Sequence, residues 1–484
     1  MTKQRVDSND SKARGRQRAH SRSGKMRIAA LAAGAMIVVA ACSSDSDDST
    51  VETDPVTSDA TASPDGTAAS GTEAPPTDSA APPAETVNPP VDSVEPPEPI
   101  VELAFDLEAN PPELQGVTDT SVKVGGLSTL TSPRLATFTG VDVGAQVYFD
   151  SVNANGGIAG RQIDFIGVKD DGENNEQNIT QARSLVEEEE VFAVVPVVSS
   201  FFAGSSVLQD VGIPYFGWGF HEAFCDTPEG FSFNGCGNPK VDDHPAYAWP
   251  GLIAELYPDA KTVAFSAEDT EAARAGVDRY LRSLDELGLE EVLVDTGIPI
   301  DPGTDYTPFA QRIIEANPDV VFIVSGASTA IQLAGRLQAS GFEGKVTTPA
   351  IYDPRVLAVE SAAQAVEGAT AYVGFATFQS EDNPGIAQLK ADVAEFAPEG
   401  TVLTQPLASG YFSAMLFSQI LEAVGTDLTY EAFYEAANST VFDGGGALAA
   451  LTFPEAHSFP RECGALAGVV DSVFVEAVEL TCIR

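Results

Sequence analysis

The stretch GVDVGAQVYFDSVNANGGIAGRQIDFIGVKDDGENN, residues 140–175, contains an amphipathic segment, a glycine turn and an apolar run in that order. A helix is predicted at about 139–155, and Gly156-Gly157 then provides a left-handed stop, because glycine tolerates positive φ. The run at 163–169 is rich in β-branched and aromatic residues, so it predicts a strand. The imperfect apolar stripe of the helix consists of Val143, Val147, Phe149 and Val152.

The same alternation of strand and helix extends on both sides of this stretch. In the first set, strands are predicted at 122–127, 163–169, 192–197 and 213–218, and helices at about 139–155, 175–189 and 203–210. In the second set, strands are predicted at 262–266, 292–296, 320–324 and 346–351, and helices at about 271–287, 307–316 and 329–340. Strand, helix and strand at this spacing predict βαβ units, hence parallel sheets covered by helices on both faces. The break between the sets falls between Cys225 and Pro250, so two α/β units are expected to flank a cleft that suits a ligand.

The first 41 residues have the composition of an export signal. Nine of the 26 Lys and Arg residues precede an apolar run at 28–41 that is shorter than the roughly 20 residues of a membrane-spanning helix. The run ends in Val39-Ala40-Ala41-Cys42, which resembles the bacterial lipobox, whose cysteine receives a diacylglyceryl group after export. Residues 1–41 are therefore predicted to be a lipoprotein signal peptide, with Cys42 as the lipid anchor to the cell membrane. The alternative is an ordinary secretory leader followed by an unrelated cysteine. Translation starts at either Met1 or Met26, and the sequence leaves both open.

An acidic segment rich in Pro, Ser and Thr follows the leader. Residues 42–115 contain no Lys or Arg and cannot form a core, so they are predicted to be a disordered, self-repelling linker. The whole chain has 26 Lys and Arg against 71 Asp and Glu, a net charge of −45, which repels nucleic acid. A saline habitat and simple solubility both remain explanations for this acidity.

Four of the five cysteines remain once Cys42 is assigned to lipid, which fits an oxidising compartment. Local pairing of Cys225 with Cys236 and of Cys463 with Cys482 is predicted, and each loop closure contributes about 2 to 4 kcal/mol. Free buried thiols are the alternative. No metal site is expected, because there is no CxxC spacing, the four His residues are scattered, and the acidic run at 169–174 does not match an EF-hand loop.

Several segments resemble the leucine/isoleucine/valine-binding type of periplasmic receptor, the type I periplasmic binding proteins of ABC transporters. They are GVTDTSVKVGGLSTLTS from Gly116, residues 140–175, SLVEEEEVFAVVPVVSS from Ser184, GIPYFGW from Gly212 and FDGGGALAALTFP from Phe442. The element with the highest specificity is the turn NGGIAGR at 155–161. The resemblance covers roughly residues 116–484 and implies two Rossmann-like lobes, joined by three hinge crossovers, that close around a solute.

On that basis lobe 1 is expected to hold residues 116–242 and 373–450, and lobe 2 residues 243–372 and 451–484. The resemblance also implies a monomeric, extracytoplasmic receptor that delivers a small amino acid or amide to ABC permease subunits, without a cofactor. Trp218 makes simple leucine uptake doubtful, because many relatives have a small residue there.

Candidate ligand contacts in lobe 1 follow the ends of the predicted strands. Ser199 and Ser200 precede a helix start, where free amide groups favour the carboxylate of a ligand, although either serine equally suits an N-cap. Trp218 and Gly219 follow the next strand and lie at a family turn that supplies backbone contacts. His221 and Phe138 are further candidates, as a hydrogen-bond donor and as an apolar wall.

In lobe 2, Ser325 to Ser328 and the pair Tyr352 and Asp353 follow predicted strands. Asp353 is the predicted partner for a ligand ammonium group, although Asp353-Pro354 is also a common helix start. An enzyme is not expected, since the chain has no GxSxG, HExxH or P-loop motif. A sensor that reports the same solute to a signalling partner remains an alternative to transport.

Overall fold

The computed structural model describes residues 114–132, 137–239, 244–301 and 303–484. The predicted signal peptide, Cys42 and nearly all of the predicted linker lie outside these described residues. Within the described part, the chain forms two α/β lobes and passes between them three times.

The first segment builds the sheet of lobe 1. Its elements are β1 (Ser121–Ser128), α1 (Val141–Ala154), β2 (Gln162–Asp170), α2 (Asn175–Arg183), β3 (Ala193–Val198), α3 (Ser205–Asp210), β4 (Tyr215–Gly217) and β5 (Gly230–Ser232). The strand order is β2-β1-β3-β4-β5 and every pair is parallel, which confirms the predicted βαβ units. The glycine stop is also confirmed, since Gly156 and Gly157 follow α1 at φ of 103° and 76°. β5 was not predicted, because it lies in a loop rich in turn formers between Cys225 and Cys236.

The second segment builds most of lobe 2. Its elements are α4 (Ala248–Leu256), β6 (Thr262–Glu268), α5 (Glu271–Leu287), β7 (Glu290–Ile298), α6 (Thr307–Ala316), β8 (Val320–Val324), α7 (Ala327–Ala339), β9 (Lys345–Thr347), α8 (Pro354–Leu357), α9 (Glu360–Ala365) and β10 (Thr370–Val373). The four predicted strands and three predicted helices of this lobe are all present. β6 to β9 pair in parallel, as expected.

The third segment returns to lobe 1. It contains α10 (Pro384–Phe396), α11 (Gln405–Val424), α12 (Tyr430–Ser439), β11 (Val441–Phe442), β12 (Leu451–Thr452) and α13 (Glu455–Ser458). α11 packs against α1 through glycine, since a Cβ on Gly144 or on Gly410 would lie 1.9 Å from a carbonyl oxygen of the other helix. Among the described helices, α11 alone is long and apolar enough to cross a membrane, but 72% of its most apolar window is buried, as in the core helix of a globular lobe.

The last segment adds a hairpin to lobe 2. Its strands are β13 (Cys463–Val470) and β14 (Val473–Cys482), and the complete sheet has the order β14-β13-β10-β9-β8-β6-β7. Both hairpin strands are antiparallel to their neighbours, so the otherwise parallel sheet of lobe 2 has an antiparallel edge. The two-residue turn Asp471-Ser472, with φ angles of 52° and 60°, reverses the chain between β13 and β14.

The third crossing lies later than the predicted boundary at 450/451. The amides of Asp226 and Cys236 donate to the carbonyl oxygens of His457 and Ala456, at 2.7 and 2.8 Å, so α13 belongs to lobe 1. The crossing therefore falls between α13 and Cys463. Next to it, Pro460 forms a β-bridge with Gly235 of the first crossing.

Both predicted disulfides are present, and each lies beside a crossing. Cys225–Cys236 closes a loop of lobe 1 just before the first crossing. Cys463–Cys482 joins directly paired residues of the hairpin just after the third crossing. One disulfide therefore lies at the lobe 1 end of the first crossing, and the other lies at the lobe 2 end of the third crossing.

Candidate functional site

A cleft of about 410 Å³ lies between the two lobes at the carboxyl ends of their strands. Lobe 1 contributes the segments that follow β2, β3 and β4, and lobe 2 contributes the segments that follow β6, β7 and β8. Parallel α/β sheets place their ligands at this edge, so the cleft is the candidate functional site.

The lobe 1 wall consists of short polar loops and one aromatic ring. Ser200 and Phe201 come after β3, and His221 comes after β4. Glu173 and Asn175, which follow β2, complete this wall. Two of the residues predicted as ligand contacts, Ser200 and His221, are therefore brought together in the cleft.

His221 is held in one neutral form. Its Nδ1 accepts a 3.1 Å hydrogen bond from the amide of Ala223, which leaves the proton on Nε2. Burial lowers the pKa of His221 below its ordinary value, and the neighbouring Glu222 opposes this only in part. The ring thus offers the cleft a hydrogen-bond donor rather than a positive charge.

Ser199 lies beneath the cleft rather than in it. Its side chain is buried, and its hydroxyl donates a 2.5 Å hydrogen bond to Oδ2 of Asp171. The same hydroxyl accepts from the amide of Phe201 at 3.0 Å. These bonds place Ser199 in the turn after β3, whereas the N-cap of α3 is Gly204 rather than a serine.

The lobe 2 wall centres on Glu268 at the end of β6 and on the start of α7. Oε1 of Glu268 accepts from the amide of Gly326 at 3.2 Å and from the hydroxyl of Thr329 at 2.9 Å. Glu268 therefore joins β6 to the first turn of α7. Ser328, also at the start of α7, lines the cleft as well.

Two further parts of lobe 2 complete the wall. Thr270 and Glu271 lie at the start of α5, and the hydroxyl of Thr270 caps this helix by accepting from the amide of Ala273 at 3.2 Å. Ile300 and Tyr306 supply an apolar surface, and the Tyr306 hydroxyl lies 3.2 Å from that of Thr329. The cleft therefore combines carboxylates, hydroxyl groups and an apolar side.

Three predicted contacts of lobe 1 lie near the crossings instead. Trp218 lines a second cavity of about 250 Å³ beside the crossing segments, and Phe138 packs against Trp218 and Phe220 with ring centroids 6.4 and 5.5 Å apart. A Cβ on Gly219 would lie 2.2 Å from the carbonyl oxygen of Gly235, so the backbone of Gly219 is packed tightly against the first crossing. The structure does not bring these three residues to the cleft lining.

The predicted contacts of lobe 2 also have other positions. Asp353 caps α8 by accepting from the amide of Arg355 at 2.8 Å, and it forms an ion pair with the same arginine. The Tyr352 hydroxyl is buried and donates to Gln379 at 2.7 Å. Ser325 is half-buried and its hydroxyl donates to the carbonyl oxygen of Gly326 at 3.3 Å. None of the three is among the described residues that line the cleft.

Sequence reasoning missed Glu268, Glu271 and Tyr306. The predicted strand ended at Ser266, whereas β6 continues to Glu268. Ser199 and Ser200 were chosen because polar residues at the carboxyl end of a strand are candidate ligand contacts. The same criterion, applied to the end of β6 and the residues just after it, would have found Glu268 and Glu271. Tyr306 had no signal, because it follows an irregular segment after β7.

The second cavity contains a cluster of buried charges at the crossings. Oε2 of Glu462 accepts from the amides of Tyr247 and Ala248 at 2.7 and 2.8 Å, which ties the third crossing to the start of α4. Its other oxygen lies 3.8 Å from Nη2 of Arg279 and 3.8 Å from Nε2 of His244. Burial raises the pKa of Glu462 and lowers those of Arg279 and His244, the last to about 4.

No group of three or more His, Cys, Asp or Glu side chains is arranged to hold a metal ion within the described ranges.

A model of periplasmic binding proteins matches residues 121–472 of the chain. Among solved structures, a fatty acid ABC transporter substrate-binding protein from Thermomonospora curvata is 19% identical, with a TM-score of 0.61, and the match covers 76% of this chain and 94% of that one. A solute-binding protein from R. palustris in complex with benzoate is 18% identical over 75% of this chain and 98% of that one, with a TM-score of 0.59.

A branched-chain amino acid transporter substrate-binding protein from Streptococcus pneumoniae, in complex with isoleucine, is also similar. It is 18% identical, with a TM-score of 0.60, and the match covers 75% of this chain and all of that one (100%). At these identities the solved structures show a shared fold. No curated protein sequence matches the chain.

Proposed function

The chain belongs to the periplasmic binding protein family, and on that premise we propose that it is the extracytoplasmic receptor of an ABC uptake system for a small amine-bearing solute of the amino-acid or amide class. Membership confirms the family resemblance found in the sequence. The cleft between the lobes, lined by side chains from both, is the observation that carries the proposal.

The cleft suits a small polar solute with an apolar part. Its volume of about 410 Å³ lies within the range of ordinary ligand sites. Ser200, Thr270 and Ser328 offer hydroxyl groups, Glu268 and Glu271 offer acceptors for an ammonium group, and Ile300 and Tyr306 offer apolar contact. Glu268 and Glu271 replace Asp353 as the proposed partners of the ammonium group.

The three crossings supply the hinge for closure. A solute that contacts both lobes stabilises the closed form over the open one, because some of its contacts form only when the lobes approach. Both tryptophans of the chain, Trp218 and Trp249, line the cavity at the crossings. Their fluorescence should therefore report the lobe movement.

The partners and the location follow from the same role. The closed form would be recognised by the permease subunits of the transporter. Cys42 would anchor the mature chain in the outer surface of the cell membrane, and residues 42–115 would act as its spacer. The short apolar run before Cys42 and the absence of Lys and Arg from residues 42–115 support this arrangement.

A melting-temperature screen of the purified protein against amines, amino acids and amides tests the receptor role. A solute at 100 times its dissociation constant should stabilise the protein by about 2.7 kcal/mol and change its tryptophan fluorescence. Failure of every solute in the screen, or turnover of any of them, would contradict a receptor.

Labelling of expressing bacterial cells with an alkyne analogue of palmitate tests the anchor separately. The full chain should incorporate the label and sediment with membranes, whereas Cys42→Ser should do neither. Equal labelling of both chains would contradict the assignment of Cys42.

A further inference from the structure

The second cavity, of about 250 Å³, is lined by both lobes and by all three crossings. The crossing residues in its lining are Gly237 and Ala246 from the first crossing, Gly374 from the second, and Pro460 and Glu462 from the third. A molecule in this cavity would therefore lie against every connection between the lobes.

The apolar lining of the second cavity includes six aromatic rings, three from each lobe. They are Trp218, Phe220 and Phe233 from lobe 1, and Trp249, Tyr280 and Tyr372 from lobe 2. In lobe 1, Trp218 and Phe220 pack edge to face with ring centroids 5.4 Å apart. In lobe 2, Trp249 packs against Tyr280 and Tyr372 at 5.5 and 5.8 Å. Each of these contacts joins rings of the same lobe, so a ring placed in the cavity would add a partner to both groups.

Two uncharged side chains of the lining have polar atoms left for an occupant. Gln405 is only 8% exposed, and its Nε2 donates to the carbonyl oxygen of Tyr372 at 3.3 Å, while its Oε1 has no partner among the described residues. Asn234 accepts through Oδ1 from the hydroxyl of Ser232 at 2.6 Å, and its Nδ2 has no partner in the same part of the chain. Because buried polar groups are normally hydrogen-bonded, these atoms offer an acceptor and a donor to a polar substituent of the occupant.

From this arrangement we infer that the second cavity is a binding site for a small planar aromatic molecule that carries a polar substituent. Its volume exceeds the roughly 150 Å³ of an apolar protein cavity that holds benzene, so a single ring fits. Aromatic rings on both sides favour a planar aromatic body over an aliphatic one of the same size. The inference goes beyond the proposed receptor function, which places its solute in the cleft.

Fluorescence titration of the full chain with 4-bromophenol tests the inference, because bromine in contact with a tryptophan ring quenches its emission. Trp218 and Trp249 are the only tryptophans of the sequence, and both line the second cavity. The emission should therefore fall to a plateau as the site fills. Phenol should displace 4-bromophenol and restore the emission. Cyclohexanol, which has a similar size and no planar ring, should compete about fivefold less well.

The variant Gly374→Leu should abolish this saturable quenching. A Cβ on Gly374 would lie 4.0 Å from Nδ2 of Asn234, the nearest atom outside the adjacent residues, so a leucine side chain has room to fill the cavity. Ala449→Leu, at another residue of the lining, is the second filling variant and should have the same effect if Gly374→Leu does not fold. Gly297→Leu, at an exposed position of β7 outside the cavity, is the matched control and should leave the quenching unchanged.

Quenching that rises without a plateau, or that persists unchanged in the folded filling variants, would overturn the site. Equal competition by phenol and cyclohexanol would overturn the aromatic ligand class. Each of these results would leave the receptor role standing, since that role depends on the cleft and is tested by its own screen.

Discussion

The hydroxyl of Ser199 donates a 2.5 Å hydrogen bond to Oδ2 of Asp171, and both residues are buried directly beneath the cleft between the lobes. The strand-end serine that the sequence offers as a ligand contact thus belongs to the support of the site. Ser200, one residue further along, lines the cleft.

Replacement of Ser199 with alanine should lower the free energy of unfolding by about 1 to 3 kcal/mol, because a buried carboxylate loses one of its donors. Urea denaturation measures this loss. The control is Ser200→Ala, which changes an exposed hydroxyl and should stay within about 0.5 kcal/mol of the unmodified protein. Equal effects of the two substitutions would show that the Ser199 bond does not support the fold.

Two glycine-to-alanine substitutions should have opposite effects. In Gly410→Ala the new Cβ would lie 1.9 Å from the carbonyl oxygen of Val141, so α11 must move away from α1 and the protein should lose about 1 to 3 kcal/mol. In Gly276→Ala, within α5, the new Cβ would lie 3.9 Å from the ring of Tyr280, and alanine should stabilise the helix by about 0.5 to 1 kcal/mol. Thermal unfolding of both variants shows whether each substitution raises or lowers the stability of the protein. Stabilisation by Gly410→Ala would contradict the close helix contact.

Loss of the Glu462 side chain should destabilise the connection between the lobes. Glu462→Ala removes the acceptor for the amides of Tyr247 and Ala248 and leaves Arg279 buried without its carboxylate, so a loss of about 3 to 5 kcal/mol is expected. Guanidinium denaturation provides the measurement. Glu435→Ala, on the exposed side of α12, should change stability by less than about 0.5 kcal/mol, and a comparable loss in both variants would argue against the role of Glu462.

The stability of lobe 1 should depend on pH through His457. Burial lowers its pKa from 6.5 to about 4, and its Nδ1 donates a 2.9 Å hydrogen bond to the carbonyl oxygen of Gly230. Because the unfolded chain binds the proton more readily, the stabilisation is complete above about pH 6.5 and is lost as the pH falls towards 4, to a total of about 3 kcal/mol.

His457→Asn keeps a donor and removes the titration. The difference in unfolding free energy between the unmodified protein and this variant should therefore shrink by that amount between pH 7 and pH 4. A difference independent of pH would show that His457 is not held neutral.

The fold was largely predictable from the sequence, and the side-chain arrangement of the site was not. Apolar runs and the Gly156-Gly157 stop identify β1 to β4 and α1, because local periodicity encodes them. β5 lies in a loop rich in turn formers between Cys225 and Cys236, so its sequence carries no strand signal, and its pairing with β4 forms it.

The edge of the sheets where the site lies could be deduced, since strand ends converge there. Which strand-end side chain faces the cleft depends on contacts between distant segments. The bond of Ser199 to Asp171 spans 28 residues, and the bond of Thr329 to Glu268 spans 61. The carboxylate of Asp353 could accept from a ligand ammonium group, but in the structure it caps α8 and forms an ion pair with Arg355.

A crystal structure of the protein grown with the tightest-binding amine or amide tests the central claim most directly. The account predicts the solute between the lobes, with its positively charged group against Glu268 or Glu271 and contacts to Ser200 or His221 from the opposite lobe. A solute bound to one lobe alone, or in the cavity beside Trp218 and Trp249, would contradict it.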